Sequence, residues 1–331
     1  MTETEIIEKK EKVNSFSKIS FVLPCYNSQN TIEKVTERII NTVKCREGLD
    51  YEIILVNDCS PDNVYEVVKK LASENEKIKG INLAKNFGQH SALMAGFSCV
   101  TGDAVVCLDD DGQTPPEEMF KLIDSLGEDC DVAFAKYTNK KHSLFRNMGS
   151  KVNDLMARWL IGKPKNLSMM SYFACKRFII DEVVRYDNPY PYVSGLLIRS
   201  TKKVKNVEME HSERLEGKSG YSLKKLLGLW FNGFTSFSVK PLRLASFMGV
   251  FCALIGFAYG IYLFINKLIN WDSVQLGYTS TIAIILFVGG MLMMMLGLIG
   301  EYIGRIYISL NKSPQYVIKE KINVDKTDEN K

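Results

Sequence analysis

Apolar runs alternate with amphipathic segments along the first part of the chain. Such runs lie at residues 19–27, 51–62, 78–83 and 103–108, and each leads through a polar loop into a segment with helical periodicity. Near-continuous apolar strands that alternate with amphipathic helices are typical of a mostly parallel sheet with helices on both faces. We therefore expect an α/β fold in this part of the chain.

The pattern continues less regularly over the next hundred residues. Residues 131–137, 193–200 and 204–214 read as strands, and residues 168–184 read as a strand that runs into a helix. Residues 143–162 have the periodicity of a long amphipathic helix. Near the C-terminus, residues 313–323 alternate like a short strand.

Two long stretches contain no charged side chain, at residues 245–266 and 273–300. At about 1.5 Å of rise per residue, each helix would be long enough to cross the ~30 Å hydrocarbon core of a bilayer. A central Lys, Arg or Asp costs roughly 2.5 to 3.5 kcal/mol on insertion, so the absence of charge favours membrane spans over buried helices. We place the spans at about 245–266 and 279–300.

Basic residues flank the two predicted spans and are scarce in the loop between them. The flanking residues are Lys224, Lys225, Lys240, Arg243, Arg305 and Lys312, whereas the loop holds Lys267 and Asp272. The positive-inside rule then predicts that both termini and the large N-terminal part are cytoplasmic. The N-terminus has no apolar core, so no signal peptide is expected.

Composition narrows the class of protein further. The chain has 331 residues, is 46% hydrophobic and carries a formal charge of +4. This length allows two domains, and this composition excludes a mainly disordered chain. The basic excess gathers beside the spans, which fits an anionic membrane surface and argues against nucleic acid. Eight cysteines without CxxC pairing, in a reducing compartment, predict free thiols and neither a zinc site nor disulfides.

These observations predict five regions. Residues 222–239 mix Lys with Leu, Trp and Phe at helical spacing, as in a helix at the membrane interface, although a soluble core helix would read similarly. The regions are an N-terminal extension (residues 1–17), a cytoplasmic α/β domain (18–220), interfacial helices (221–241), two membrane spans (242–304) and a cytoplasmic C-terminal tail (305–331).

Ligands of a parallel α/β sheet bind at the carboxyl ends of its strands. That rule selects four loops together, at residues 24–27, 57–62, 85–90 and 109–113. In the last loop, side-chain alternation along an extended chain would point Asp109 and Asp111 to one side and Asp110 to the other. Like charges this close favour a shared cation, and oxygen ligands such as these and Gln113 suit Mg²⁺ or Mn²⁺. A solvated acidic turn is the simpler alternative.

A glycine-punctuated loop just before the predicted membrane segment carries a second candidate site. Arg214, Lys218 and Ser219 in RLEGKSGY provide a guanidinium fork, a point charge and a hydroxyl, which together bind phosphate well. A basic loop that touches anionic lipid headgroups is the alternative, and the two uses are compatible.

The chain resembles the GT-A domain of family 2 inverting glycosyltransferases in four motifs and in their order, VLPCYN, VNDCSPD, NFGQHSALMAGF and LDDDGQTPPEE. It is similar to the polyisoprenyl-phosphate branch of that family in the loop RLEGKSGY, the interfacial segment and the two spans. That branch includes dolichol-phosphate-mannose-synthase-like and undecaprenyl-phosphate sugar enzymes. The resemblance runs from about Ile19 to Ile318. It implies a nucleotide-diphospho-sugar donor, with a UDP-sugar favoured, a polyprenyl phosphate acceptor, and a place in a bacterial inner membrane.

The resemblance also implies roles for single residues. The metal ligands would be Asp109, Asp111 and Gln113. The catalytic residues would be Asp109, Asp111 and Arg214. The donor would contact Asp58, which matches the acidic residue at the nucleobase, and also Pro24, Tyr26, Asn27, Lys85, Asn86 and Asp110. Arg214, Lys218 and Ser219 would bind lipid phosphate or donor diphosphate.

One departure from the family pattern bears on the acceptor side. Many relatives carry an acidic residue and an Arg where this chain has Ser171 and Phe173. An acceptor phosphate is already ionised at neutral pH and needs no strong base, so this loss does not exclude catalysis.

Three other functions compete with this interpretation. A family 2 transferase that extends a polysaccharide usually has more spans and a QxxRW-like motif, which this chain lacks. A membrane-anchored binding or scaffold protein would not need intact Asp109, Asp111, Gln113 and Arg214. A transporter usually has a charge within its spans. The resemblance further suggests a homo-tetramer, with a strand near 315–318 that adds to a neighbour's sheet.

Overall fold

The computed structural model describes residues 16–137, 158, 162–210, 240–269, 277–311 and 313–324. The chain divides into two compact units, Met1–Leu223 with Ser313–Lys331, and Lys224–Lys312. Nearly all of the helix expected at 143–162 and all of the interfacial helix expected at 222–239 lie outside the described residues.

The described residues of the first unit form an eight-stranded sheet in the order β7-β5-β6-β4-β1-β2-β3-β8. Its strands are β1 (Lys18–Cys25), β2 (Asp50–Asn57), β3 (Ile78–Leu83), β4 (Ala104–Cys107), β5 (Val132–Tyr137), β6 (Phe173–Lys176), β7 (Val204–Met209) and β8 (Ile318–Ile322). The central strands β4, β1, β2 and β3 are parallel, β7 is parallel to β5, and β6 and β8 run antiparallel to their neighbours. The sequence-based expectation of a mostly parallel α/β sheet is confirmed.

Helices follow most of the strands, as the sequence pattern predicts. They are α1 (Ile32–Lys44), α2 (Val64–Glu74), α3 (Gln89–Phe97), a 3₁₀ turn (Pro116–Glu118) that runs into α4 (Met119–Ser125), α5 (Arg177–Val184) and α6 (Val193–Ser200). The second unit contains α7 (Lys240–Ile269) and α8 (Tyr278–Leu310).

Both faces of the central sheet are covered. On one face, Phe21 and Leu55 lie fully buried in a cluster with Ile39 of α1 and Val68 of α2. On the other face α3 packs so closely that a Cβ at Gly96 would come within 2.4 Å of the Val22 side chain, so only glycine fits there. Full burial of such aliphatic and aromatic side chains stabilises the fold by roughly 1.5 to 3 kcal/mol each.

One predicted strand is a helix. Residues 193–200 form α6, in which Val193, Leu196 and Leu197 are buried. Their spacing of three and four residues is that of one helix face, and the short apolar run does not by itself distinguish a helix from a buried strand.

The C-terminal strand is shorter than the sequence predicts. It spans Ile318–Ile322 and pairs antiparallel with β3 of its own chain. Gln315 fastens the preceding segment because its amide donates to the carbonyl oxygens of Tyr186 and Asn188, at 3.1 and 2.9 Å. The C-terminal segment is therefore an integral part of the first unit.

The two helices of the second unit are long and apolar enough to cross a membrane, over Ala245–Tyr262 and Phe287–Leu310. Large apolar side chains such as Phe247 and Met293 are more than two-thirds exposed. The helices approach each other where a Cβ at Gly249 would lie 3.0 Å from the Met295 methyl carbon. The second helix continues ten residues beyond the predicted end of its span, to Leu310.

Candidate active site

The loops that follow β1, β2, β3 and β4 are joined by hydrogen bonds at the carboxyl edge of the parallel strands. The Tyr26 amide donates to the Asp110 carboxylate at 2.9 Å, and the Asn27 amide donates to the Ser60 hydroxyl at 2.8 Å. The Phe87 amide donates to Asp58 at 2.8 Å. The structure therefore brings together the four loops that the sequence singles out.

Asp58 is buried at the end of β2 and holds the neighbouring loop. Its two carboxylate oxygens accept from the backbone amides of Phe87 and Gly88, both at 2.8 Å. Burial raises the pKa of Asp58, against the lowering effect of these two hydrogen bonds. Each oxygen retains a second lone pair, so the carboxylate can still accept a hydrogen bond from a ligand.

The loop after β1 adopts a conformation that exposes its side chains. Asn27 has a φ of +57°, in the left-handed region that Asn tolerates better than most residues, and Tyr26 is 47% exposed. Pro24 is buried in the last part of β1, opposite Val56 of β2. Of the three predicted nucleoside contacts in this region, Tyr26 and Asn27 are exposed to solvent, whereas Pro24 is buried.

The loop after β3 presents two of the predicted donor contacts. Lys85 is exposed, with its ammonium 4.9 Å from the centre of the Phe87 ring. Asn86 donates from its side-chain amide to the Asp58 carbonyl oxygen at 3.3 Å. Asn86 therefore lies beside Asp58, and both side chains are exposed to solvent.

The aspartate loop begins earlier than the sequence suggests. Strand β4 ends at Cys107, two residues before Asp109, and Gly112 has a φ of +76°. The alternation argument for Asp109 and Asp111 therefore does not apply, because the aspartates lie on a turn instead of a strand. The turn is held by the Gln113 amide, which donates to the Asp111 carboxylate at 3.0 Å, and by the Thr31 hydroxyl, which donates to the Asp110 carbonyl oxygen at 2.6 Å.

Asp109 lies at the centre of the site with neutral hydrogen-bond partners. One carboxylate oxygen accepts from the Gln89 amide at 3.1 Å, and the other accepts from the Ser171 hydroxyl at 2.5 Å. Burial raises the pKa of Asp109 to about 6, and the nearby charges of Asp111 and Asp110 raise it further against the two hydrogen bonds. Burial also raises the pKa of Asp110.

These residues fit a divalent cation. Asp111 is close enough to Asp109 for its charge to raise the pKa of that carboxyl, a repulsion that a cation between them would remove. Their oxygens, with the Gln113 amide, are hard ligands of the kind that Mg²⁺ and Mn²⁺ take. Within the described ranges, no group of three or more His, Cys, Asp or Glu side chains is arranged to hold a metal. Oxygens of a bound ligand such as a diphosphate would complete the coordination of such an ion.

Sequence reasoning missed Gln89 as a partner of the aspartates and treated Ser171 only as a departure from a pattern. Gln89 is the first residue of α3, directly after a loop that the strand-end rule selects, so its position was available from topology. The contact between Ser171 and Asp109 spans 62 residues of sequence, and nothing in the local pattern announces it.

A cleft of about 190 Å³ opens beside Asp109. It lies between the start of α3, the segment before β6 and the start of α6. His90 of α3 meets the Tyr192 ring edge to face, with 5.3 Å between the ring centres. The lining residues are Gln89, His90, Leu93, Met169, Met170, Ser171, Phe173, Tyr192, Val193 and Ser194. The phosphate-binding candidates Arg214, Lys218 and Ser219 lie outside the described residues.

Two known families match different parts of the chain. The pattern described as Glycosyl transferase family 2 matches residues 20–184, which include the four loops of the site. The pattern described as GtrB C-terminal hairpin matches residues 240–306, which cover α7 and most of α8.

Two relatives match the chain over almost its whole length. It is 34% identical to the undecaprenyl-phosphate 4-deoxy-4-formamido-L-arabinose transferase of Proteus mirabilis (strain HI4320), over 97% of this chain and 98% of that protein. The enzyme of the same name from Yersinia enterocolitica (serotype O:8 / biotype 1B, strain NCTC 13174 / 8081) is 33% identical, over 98% of each chain.

A solved structure shares the fold at low sequence identity. Glucosyl-3-phosphoglycerate synthase from Mycobacterium tuberculosis, in complex with Mn²⁺, uridine diphosphate and phosphoglyceric acid, has a TM-score of 0.51 and 18% identity. The match covers 71% of this chain and 80% of that one. At this identity the likeness establishes the fold of the catalytic unit.

Proposed function

The chain belongs to glycosyl transferase family 2, and from that premise we propose that it transfers one sugar from a nucleotide-diphospho-sugar to a polyprenyl phosphate. The geometric observation that carries the proposal is the Asp109 carboxylate, which is held by neutral groups and has a pKa raised to about 6. A divalent cation at this carboxylate would offset its charge, and a donor diphosphate would supply the cation's remaining oxygen ligands.

The donor nucleoside lies across the loops after β1 and β2. Asp58 accepts a hydrogen bond from the base while its other lone pairs keep the 85–88 loop in place. Pro24, Tyr26 and Asn27 form the remainder of the nucleoside pocket, and Lys85 and Asn86 reach the phosphates or sugar hydroxyls. We favour a UDP-sugar as donor.

Asp109, Asp111 and Gln113 are the residues that would hold Mg²⁺ or Mn²⁺ when the donor diphosphate is bound. When bound, the ion neutralises the charge that develops on the leaving nucleoside diphosphate. Asp110 keeps its place against the Tyr26 amide and contacts the donor from that side. Ser171 and Gln89 orient Asp109 through its two oxygens.

The acceptor phosphate attacks the anomeric carbon in line with the departing diphosphate. One C–O bond forms to a phosphate oxygen as the bond to the nucleoside diphosphate breaks, so the configuration inverts. The attacking oxygen is already ionised near neutral pH, and no general base is required. Arg214, Lys218 and Ser219 bind the lipid phosphate or the donor diphosphate.

The two apolar helices and the polyprenyl-phosphate transferases among the relatives together indicate a membrane protein. We propose that the catalytic unit and both termini are cytoplasmic, in a bacterial inner membrane, because the basic residues flank the spans instead of lying between them. A homo-tetramer remains part of the proposal.

Purified full-length protein, undecaprenyl phosphate and a panel of UDP-, GDP- and dTDP-sugars test this function. We expect one nucleotide class to give a lipid-linked sugar with Mn²⁺ or Mg²⁺, and EDTA to abolish the product. A protein that binds a nucleotide sugar but forms no lipid product with any donor would be a binding protein, and the proposal would be wrong. Product formed equally in EDTA would refute the metal site.

A further inference from the structure

Ser171, which donates to Asp109 at the centre of the site, lies on a segment without regular secondary structure. The segment, residues 167–172, follows a turn at residues 165–166 and precedes β6. Since the segment belongs to neither a helix nor a strand, the position of the Ser171 hydroxyl depends on individual contacts that hold the segment. Those contacts therefore bear on the geometry of the Asp109 carboxylate.

Asn206 of β7 holds this segment at Ser168. Its side-chain oxygen accepts from the Ser168 amide at 2.7 Å, and its side-chain nitrogen donates to the Ser168 carbonyl oxygen at 2.8 Å. The same nitrogen donates to the carbonyl oxygen of Phe134, the residue opposite on β5, at 3.2 Å. An Asn side chain carries both an acceptor and two donors, so it can pair with the N–H and C=O of one residue as a neighbouring strand would. Ser168 is thereby fixed relative to β5 and β7.

A second attachment lies directly after Ser171. The Ala135 amide of β5 donates to the Tyr172 carbonyl oxygen at 3.0 Å. The hydroxyl of Tyr172, which is fully buried, donates to the Pro115 carbonyl oxygen at 2.9 Å, just beyond the aspartate loop. The segment is thus attached on both sides of Ser171.

Strand β7 is itself firmly held, as a support for this segment must be. It pairs in parallel with β5 over its whole length, Val204–Met209. The Glu210 amide, directly after the strand, donates to the Glu118 carboxylate at 3.0 Å. Glu118 ends the 3₁₀ turn that follows the aspartate loop. The chain at β7 therefore contacts both the segment that carries Ser171 and the residues that follow the aspartate loop.

We propose that Asn206 is a positioning residue of the metal site, which acts through Ser168 and Ser171 to orient the Asp109 carboxylate for the cation. The inference rests on the proposed function, since it takes Asp109 to be a metal ligand. Asn206 lies outside the described lining of the cleft beside Asp109, so its role is indirect. Contacts that orient a ligating carboxylate raise metal affinity, because less conformational freedom is lost when the ion binds.

Calorimetric titration of the full-length protein with Mn²⁺, in the presence of UDP, tests this role. We expect Asn206→Ala to weaken Mn²⁺ binding about three- to fivefold, less than the loss of a direct partner of a ligand, because Ser171 retains its hydroxyl. Equal Mn²⁺ affinity of Asn206→Ala and wild type would overturn the inference.

Asn323→Ala is the matched control. The Asn323 amide also donates to two backbone carbonyl oxygens, those of Ala72 and Ile78 at 2.6 and 2.9 Å, and it lies directly after the opposite edge strand, β8. The control should lower the unfolding temperature about as much as Asn206→Ala does and leave Mn²⁺ affinity unchanged. An equal loss of Mn²⁺ affinity in both variants would reduce the effect to general stability and would also overturn the inference.

A double-mutant cycle shows whether Asn206 acts through Ser171. If it does, Asn206→Ala has little further effect once the Ser171 hydroxyl is absent, so Ser171→Ala and the double variant should bind Mn²⁺ within about twofold of each other. Losses that add in full would contradict the proposed route. Where Asn206→Ala does not fold, Asn206→Asp takes its place in the cycle, because it keeps an acceptor for the Ser168 amide and removes both donated bonds.

Amide hydrogen exchange in metal-free protein gives a readout that does not depend on the ion. Asn206→Ala removes the acceptor of the Ser168 amide, so peptides that cover residues 167–172 should exchange at least about threefold faster than in wild type. The same peptides should exchange at the wild-type rate in Asn323→Ala. Unaltered exchange in Asn206→Ala would overturn the inference and leave the proposed function intact. Wild-type protein that binds no Mn²⁺ would overturn the proposed metal site, and the role of Asn206 with it.

Discussion

The two ends of the central sheet surround their carboxylates in opposite ways. Near the amino end, Glu52 of β2 is 1% exposed and surrounded by donors, with Lys79 and Lys18 at 2.9 and 3.3 Å. At the carboxyl end, Asp109 has only an amide and a hydroxyl among its hydrogen-bond partners given above, and two more aspartates beside it. The same fold thus contains one carboxylate paired with cations and one whose hydrogen bonds come from neutral groups.

The pKa values follow this difference. Burial alone would raise the pKa of Glu52, but hydrogen bonds from Ser20, Lys79 and Thr101 outweigh it and lower the pKa to about 2. Burial dominates at Asp109 and raises its pKa to about 6. A carboxylate that is ionised at a cost to the fold is typical of functional sites, whereas a fully hydrogen-bonded one stabilises structure.

The largest expected effect comes from Asp109→Asn. Loss of one metal ligand should lower the rate of sugar transfer by about 10²- to 10³-fold. Metal-free protein should at the same time unfold at a higher temperature near pH 7, because the substitution removes a charge whose ionisation opposes folding. Transfer assays and thermal unfolding in EDTA measure the two effects. A variant with normal transfer would contradict the role of Asp109.

Glu52→Gln should produce the opposite combination. Removal of the charge leaves Lys79 and Lys18 without their buried partner, which typically costs about 3 to 5 kcal/mol. The apparent unfolding temperature should fall, while the metal dependence and the dissociation constant for UDP stay near wild type. A loss of metal binding comparable with that of Asp109→Asn would break the comparison between the two ends.

The pH dependence of unfolding tests the same network. The folded pKa of Glu52 lies below its ordinary value of 4.5, so its contribution is fully present above pH 4.5 and is lost as the pH falls towards 2. At about 1.4 kcal/mol per pKa unit, the contribution is about 3 kcal/mol. Thermal unfolding between pH 5 and pH 2.5 should show a smaller acid destabilisation in Glu52→Gln than in wild type. Equal slopes would contradict the assignment.

Ser171→Ala probes the support of Asp109 without removing a metal ligand. Loss of a hydrogen bond to a ligating carboxylate typically weakens metal affinity by about 10- to 100-fold, and we expect the lower end of that range. Calorimetric titration with Mn²⁺ in the presence of UDP measures the change. Ser194→Ala serves as the control, since Ser194 lines the same cleft on the side of α6.

Asp58→Asn should have the smallest effect. An Asn side chain keeps one acceptor oxygen, so one of the amides of Phe87 and Gly88 loses its partner and the 85–88 loop loosens. We expect UDP to bind about tenfold more weakly, a loss of about 1.4 kcal/mol, with little change in Mn²⁺ affinity. Unaltered UDP affinity would argue that Asp58 only anchors the loop.

The sequence predicts the central sheet well because its information is local. Apolar strands and polar strand ends place Asp58, Asp109 and Asp110 at one edge without any knowledge of side-chain contacts. The sequence predicts a strand at residues 193–200, where the structure has a helix, because so short an apolar segment fits both periodicities. The contact of Ser171 with Asp109 and the pairing of β8 with its own β3 depend on long-range packing, which no local pattern encodes.

Mn²⁺ binding followed by electron paramagnetic resonance, in the presence of UDP, tests the central claim most directly. Wild-type protein and Glu52→Gln should each bind Mn²⁺ with similar affinity, and Asp109→Asn should bind it at least about tenfold more weakly. Equal Mn²⁺ binding by Asp109→Asn and wild type would contradict a metal site at this edge of the sheet.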